Sequence, residues 1–181
     1  MPDPKPLIHR IINAFTEVEP PPAWCLSNSR EGTEPAALEE EFSEIPHWKD
    51  LSPTFLDATP DGFGTALGFF SDEAFRYYLP AYLVASVRNE LSRVDPVFHL
   101  IHGLDNSSKD VPLNPRRYGS RSWGDYARFR HSIFSAKQAA AIAAYLEHER
   151  RSALRTESEC RRIREALDNY WNFQARAANF E

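Results

Sequence analysis

Three side chains with metal-binding chemistry lie close together in the sequence. Asp95, His99 and His102 are spaced so that a helix would place all three on one face. Two imidazoles and a carboxylate would suit zinc or ferrous iron. Asp95, however, has the position of a helix N-cap, and the helix dipole stabilises a histidine near a helix C-terminus without any metal. We therefore expect no metal and no other cofactor, and keep these three residues as a weak candidate set.

The two cysteines, Cys25 and Cys160, match no zinc-binding spacing and are too few for a disulfide framework. One disulfide bridge and two free thiols remain as alternatives, and free thiols in a reducing cytosol are the plainer one. A catalytic thiol needs a histidine brought close by the fold. No motif of a cysteine enzyme surrounds Cys25, so we expect a small buried hydrophobic side chain there.

The best candidate surface is an aromatic-basic segment between residues 105 and 131. Arginine and lysine outnumber aspartate in it, and aromatic residues alternate with the basic ones. Guanidinium groups beside aromatic rings suit phosphates, carboxylates or stacked bases. Together with two tyrosines of a central helix, this segment supplies the candidate binding residues, which are Arg116, Arg117, Tyr118, Arg121, Trp123, Tyr126, Arg128, Tyr78 and Tyr82.

A structural interpretation of the same segment stays open. Six glutamates occupy the acidic stretch 31–44, and the arginines would then pair with it instead of binding a ligand. Trp123, Tyr126 and Phe129 recur at every third position, as in a helical turn docked on the core. The acidic stretch itself is a solvated helix face, the partner of these arginines, or a docking surface for a basic protein.

A central helix over residues 71–93 is predicted to organise the fold. Ser71 has the position of its N-cap, and apolar side chains follow on both faces, so the helix belongs in the middle of a domain. Pro80 lies inside it and predicts a kink. The kink is either a packing device or a means of freeing the Arg76 carbonyl for a ligand.

Capping signals mark the other helices. They are Asp3, Thr33, Ser52-Pro53, Asp95-Pro96, Ser135 with Gln138, and Thr156 with Glu159, with Pro46 after the second helix. Strand signals are nearly absent. The sequence therefore predicts one all-α domain over residues 1–181, a compact bundle of six or seven helices around the central helix, with a long irregular loop at 105–131.

Composition limits the classes of function. The net charge of −5 disfavours a nucleic-acid binder, and the chain shows neither a signal peptide nor an apolar run long enough to span a membrane. We expect a cytosolic protein. Signatures of serine hydrolases, P-loop proteins and dinucleotide-binding enzymes are missing, so an enzyme is the less favoured class.

Five segments of the chain resemble a family of small bacterial proteins known as a domain of unknown function. They are CLSNSREGTEP (25–35), ALGFFSDEAFRYYLPAYL (66–83), DPVFHLIHGL (95–104), NPRRYGSRSWGDYARFR (114–130) and AIAAYLE (141–147). The resemblance implies a single-domain bacterial protein. It implies no activity, no cofactor and no catalytic residues.

The favoured hypothesis is a non-enzymatic bacterial protein that works in the cytosol by binding another protein, in a regulatory or immunity-like role. The alternative is an enzyme or small-anion binder whose pocket is formed by Tyr78, Tyr82, His99, His102 and the arginine-rich loop. A nucleic-acid role is third, because Arg116, Arg117 and Arg121 would suit phosphates although the overall charge opposes it.

Overall fold

The protein is built from α-helices throughout the part that the computed structural model describes, residues 4–29, 31–43 and 47–176. These residues form no β-sheet, and the predicted all-α class is confirmed. None of their helices is long and apolar enough to cross a membrane. The helices are α1 (Lys5–Phe15), α2 (Thr33–Phe42), α3 (Pro53–Ala58), α4 (Ala66–Phe69), α5 (Asp72–Val87), α6 (Pro96–Ile101), α7 (Pro115–Tyr118), α8 (Trp123–His131), α9 (Ala136–Arg150), α10 (Glu157–Ala166) and α11 (Asn172–Arg176).

Backbone contacts divide the chain into two units, Met1–Pro96 and Val97–Glu181. The single domain predicted over residues 1–181 stays a prediction. More helical segments are present than the six or seven predicted, because α4, α7 and α11 are short and α8 was not expected. Three predicted features, Asp3 as a cap, Glu44 in the acidic stretch and Pro46 after α2, lie outside the described residues.

The central helix of the first unit is α5, and it is buried on both faces as predicted. The hydroxyl of Ser71 caps it by accepting a hydrogen bond from the Ala74 N–H at 3.1 Å. Tyr77 is 1% exposed and Tyr78 is 4% exposed, although they lie on different faces. The ring of Phe42 from α2 meets that of Tyr78 edge to face, with centroids 4.7 Å apart. Pro80 lies within the helix, which continues to Val87.

The predicted extension of this helix to residue 93 is wrong. Asn89 adopts a left-handed conformation with φ of 57°, which ends the helix. The N–H of Asn89 donates to the carbonyl of Ser86 at 2.8 Å, and the N–H of Glu90 donates to the carbonyl of Ala85 at 2.9 Å. This pair of bonds is a Schellman motif, and asparagine tolerates the left-handed position better than most residues.

Asp57 of α3 holds the segment that follows α5. Its carboxylate accepts hydrogen bonds from the backbone N–H groups of Ser92 at 2.7 Å, Arg93 at 3.1 Å and Val94 at 3.1 Å. Burial alone would raise the pKa of this carboxyl, but the bonds from Ser92, Val94 and Arg93 outweigh burial and lower it. The ionised carboxylate is therefore the hydrogen-bond acceptor of three consecutive backbone N–H groups in this segment.

Two predicted capping boxes are present in the second unit. The hydroxyl of Ser135 accepts from the N–H of Gln138 at the start of α9, and Thr156 does the same with Glu159 at the start of α10. The cap of α2 differs from the prediction, since Gly32 is the N-cap and Thr33 is the first helical residue. A π-helical turn, Leu167–Trp171, joins α10 to α11, and α9 packs against both.

The predicted irregular loop at 105–131 is also wrong, because it contains α7 and all of α8. Ser122 and Asp125 form a reciprocal capping box that starts α8. The buried residues of this helix are Gly124, Ala127, Arg130 and His131, and they include no large apolar side chain. The hydrophobic periodicity that reveals most helices is therefore absent from this one.

Candidate functional site

The candidate site lies on the hairpin-like segment 109–124 of the second unit. Three backbone bonds of 2.9 Å close this segment: Leu113 N–H to Arg121, Trp123 N–H to Val111, and Gly124 N–H to Lys109. The short helix α7 forms its tip, and α8 leaves from its second arm. The closure fixes the start of α8 relative to α7.

A buried charge network anchors the base of this segment. Asp105 is fully buried and accepts hydrogen bonds from the Ser107 N–H at 2.9 Å, the Ser108 hydroxyl at 2.8 Å and the Arg162 guanidinium at 3.2 Å. Burial would raise the pKa of this carboxyl, but the bonds from Ser107, Ser108 and Arg162 lower it overall. Each of these bonds holds the carboxylate in place, although the Nε of Arg162 is buried without a hydrogen-bond partner among the described residues, and we assign the network to structure and not to chemistry.

Between α7 and α8 the surface sinks into a mostly apolar groove with a volume of about 770 Å³. A volume of this size is within the range of pockets that bind small ligands. The groove residues, as we call its lining, are Leu113, Asn114, Tyr118, Arg121, Trp123, Asp125, Tyr126 and Phe129.

The groove exists because α8 turns its aromatic face outward. The helix packs on its unit through Gly124 and Ala127, whereas Phe129 is 72% exposed and Tyr126 is 37% exposed. The spacing of Trp123, Tyr126 and Phe129 does reflect a helix, as the structural interpretation proposed. The expected docking on the core is not observed for Tyr126 and Phe129, since the small residues occupy that face, whereas Trp123 is half-buried against His102.

Ring contacts that begin in α6 hold two aromatic groove residues, Trp123 and Tyr126, in place. His102 stacks on Phe98 with centroids 5.1 Å apart, and it meets Trp123 at 4.7 Å. Trp123 in turn meets Tyr126 edge to face at 5.8 Å. Burial lowers the pKa of His102 despite the opposing charge of Asp105, which favours the neutral ring in these contacts.

Arginine side chains contact the aromatic residues of the groove and also surround its opening. The buried Arg130 donates to the Tyr126 hydroxyl at 3.1 Å and so fixes the orientation of that ring. Arg117 lies over the Tyr118 ring at 5.6 Å, within cation–π distance. Four exposed guanidinium groups, those of Arg116, Arg117, Arg121 and Arg128, make no ion pair with a described carboxylate of the second unit. The Arg128 guanidinium lies over the Tyr170 ring at 6.0 Å. We call the other three the rim arginines.

The structure brings only some of the predicted binding residues together. Tyr118, Arg121, Trp123 and Tyr126 line the groove, and the other two rim arginines lie beside it on α7, whereas Arg128 contacts Tyr170 instead. Four further lining residues were not among the predicted site residues: Leu113, Asn114, Asp125 and Phe129. Two signals in the sequence could have indicated the groove. The Asn-Pro start of α7 and the Ser122–Asp125 capping box each predict the start of a helix, and the groove lies between these two helices.

Tyr78 and Tyr82 lie in the core of the first unit, where burial raises the pKa of both hydroxyls and takes that of Tyr78 to about 12. Tyr82 is completely buried, and its hydroxyl has no hydrogen-bond partner among the described residues. Their role in ligand binding stays a prediction. So does the pairing of the arginines with the acidic stretch 31–44.

The remaining chemical candidates have ordinary surroundings. Within the described ranges no group of three or more His, Cys, Asp or Glu side chains is arranged to hold a metal, so Asp95, His99 and His102 form no such site. Cys25 is half-buried rather than fully buried, and its thiol donates to the Glu73 carboxylate at 3.5 Å. Burial raises the pKa of this thiol, which disfavours a reactive thiolate.

Comparison with known proteins identifies the family without naming an activity. No curated protein matches the chain. No solved structure matches it either. The model of one family covers residues 4–175, which is nearly the whole chain and includes both units. The chain therefore belongs to a family of unknown function, DUF6714.

Proposed function

We propose that the protein is a non-enzymatic protein-interaction module of the bacterial cytosol, and that its partner docks in the groove between α7 and α8. The observation that carries this proposal is the outward-facing aromatic wall formed by Tyr118, Tyr126 and Phe129. Exposed aromatic side chains grouped around an apolar depression are typical of interaction sites on soluble proteins.

The way the groove is built supports a binding role over a packing role. Backbone bonds close segment 109–124, and the Arg130 guanidinium holds the Tyr126 ring, so the backbone of the wall and this ring are in place before any partner arrives. A preformed wall loses little conformational entropy on binding. Phe129 adds little to the stability of its own unit, because its side chain remains mostly in solvent.

Two further features support the finer parts of the proposal. Both cysteines are free thiols, which suits a reducing compartment such as the cytosol. Origin in a bacterium is supported by the resemblance of five segments to a family of bacterial proteins. A protein that binds its partner without catalysing a reaction would act in a regulatory or immunity-like role.

The proposal is tested by selecting displayed random peptides on the immobilised full chain. We expect specific peptides to be enriched, and a synthetic version of the most enriched one to bind Phe129→Ala at least tenfold more weakly. Such a loss corresponds to about 1.4 kcal/mol, the usual size for an aromatic anchor at an interface. Fluorescence anisotropy with the labelled peptide measures it.

Phe173→Ala is the matched control, because Phe173 is 74% exposed on α11 and is not a groove residue. The labelled peptide should bind Phe173→Ala as tightly as it binds the wild type, and both variants should keep the wild-type melting temperature. Failure to enrich any peptide, or an equal loss in both variants, would refute the groove as the docking site.

A further inference from the structure

We infer that the groove takes an apolar side chain from an acidic peptide segment, whose carboxylates on either side bind the rim arginines. The inference rests on the proposed function and names the chemistry of its partner. It has two parts, an apolar anchor and acidic flanks, which different observations support.

The interior of the groove argues for the apolar anchor. Its walls are Leu113 and four aromatic rings, with Arg121 as the basic group among its lining residues. The Asp125 carboxylate is turned to the capping box, where it accepts from the Ser122 N–H at 2.8 Å and the Ser122 hydroxyl at 3.1 Å. A charged occupant would lose its hydration inside such walls without gaining enough hydrogen bonds, whereas an apolar side chain gains about 25 cal/mol per Å² buried.

The rim argues for the acidic flanks. Residues 113–129 contain four arginines and one aspartate, a local charge of about +3, whereas the whole chain carries −5. All four arginines are exposed: Arg121 lines the groove, Arg116 and Arg117 lie on α7 beside it, and the Arg128 guanidinium lies over the Tyr170 ring at 6.0 Å. A guanidinium fork matches a carboxylate with two parallel hydrogen bonds. A positive patch on a negative protein therefore selects a negative partner.

An acidic peptide fits these features better than a nucleic acid does. Single-stranded nucleic acids are held by rings that stack on successive bases. Here the Trp123 and Tyr126 planes are inclined by 87°, so the wall forms a corner and not a stacking platform. The overall charge of −5 also repels a polyanion at long range.

The test uses the most enriched displayed peptide as a fluorescein-labelled synthetic probe, in three forms. One has its natural sequence, one has every Asp and Glu replaced by the corresponding amide, and one has its apolar anchor replaced by glycine. We expect acidic residues around an apolar position in the enriched set, and at least tenfold weaker binding of both altered forms. Affinity of the natural form should fall as salt is raised from 50 to 300 mM, which are about the limits within which screening of exposed charges changes strongly.

Arg121→Glu reverses one charge at the groove and should weaken the natural peptide at least tenfold while leaving the amide form unchanged. Arg164→Glu, on the exposed side of α10, is the matched control and should bind the natural peptide as the wild type does. Circular dichroism melting checks that both variants are folded.

The outcomes separate this inference from the proposed function. Enriched peptides that are neutral or basic, or an amide form that binds as well as the acidic one, would overturn the inference and leave the groove as a docking site. An oligothymidylate that competes with the peptide at equal concentration would overturn it in favour of a nucleic acid. Concentration-dependent self-association in sedimentation, lost in Arg121→Glu, would replace the peptide by a second copy of the chain.

Discussion

His131 is buried in the second unit, and this burial has a consequence for stability. The ring is 2% exposed and packs against Phe134 and Trp171. Burial, together with the nearby charges of Arg130 and His99, lowers its pKa to about 3 from an ordinary value of 6.5. The folded protein therefore keeps this histidine neutral at a pH where the unfolded chain protonates it.

The free energy of unfolding should accordingly fall as the pH is lowered from 6.5 towards 3. The contribution of this histidine to the fall is about 1.4 kcal/mol per pH unit. The stabilising contribution of the neutral ring is fully present above the unfolded pKa and is lost below it. We expect His131→Gln to be less stable than the wild type at pH 7, with a deficit that shrinks as the pH falls to 4. Urea unfolding at several pH values measures the two free energies.

His9→Gln is the control, since His9 is exposed on α1 and its replacement removes no buried ring. Carboxylates with lowered pKa values, such as Asp105 and Glu147, destabilise both proteins in acid and cancel in the comparison. A deficit that is constant from pH 7 to pH 4 would contradict the assignment of His131.

At the scale of elements, the approach of α6 to α8 depends on a glycine. Gly103 follows α6 with φ of 80°, and a Cβ atom there would overlap the carbonyl oxygen of Trp123 and lie 2.8 Å from the Cβ of Ala127. Gly119 follows α7 with φ of 64°, but a Cβ atom there would meet nothing within 4 Å. Both glycines have a positive φ, but only Gly103 lacks room for a Cβ atom.

Gly119→Ala should therefore lower the free energy of unfolding by about 1 to 3 kcal/mol, because φ of 64° with ψ of −131° is a conformation in which alanine is strained. Gly103→Ala should lower it by about 1 to 3 kcal/mol more, because the backbone of Trp123 must also move. Denaturant unfolding of both variants measures the difference. Equal losses would show that α8 is not held in place by the close approach at Gly103.

Local sequence signals predicted the elements well where hydrogen bonds within one turn decide them. Ser71, Ser135 and Thr156 all cap helices as expected, because a hydroxyl and the third following N–H are neighbours in the chain. The end of α5 and the existence of α8 were mispredicted. The helix α5 ends at the left-handed Asn89, and the segment after it is held by the Asp57 carboxylate, 35 residues from Ser92 in sequence. The existence of α8 depends on packing of small residues.

At the scale of the whole molecule, the division into two contact units leaves the predicted single domain to be tested by experiment. Asp57→Asn removes a charge that three backbone N–H groups share in the first unit, and the loss should be about 2 kcal/mol. Gly103→Ala perturbs the second unit. If the chain is one cooperative domain, each variant should shift the whole unfolding transition.

Tryptophan fluorescence and far-ultraviolet circular dichroism should then give coincident curves for the wild type and both variants. Trp48 reports from the core of the first unit and Trp171 from that of the second. Two transitions, of which each variant shifts only one, would show that the units unfold separately and that the chain has two domains.

The sequence by itself determined the helical class, most helix starts and the buried central helix, because these follow from neighbouring residues and from an unbroken apolar run. It also identified the chemistry of the aromatic-basic segment. Only the tertiary structure decided that α8 packs through Gly124 and Ala127 and turns Phe129 to solvent. The spacing of aromatic residues shows that they share a helix face, but the direction of that face depends on which side chains fit the distant surface that the helix packs against.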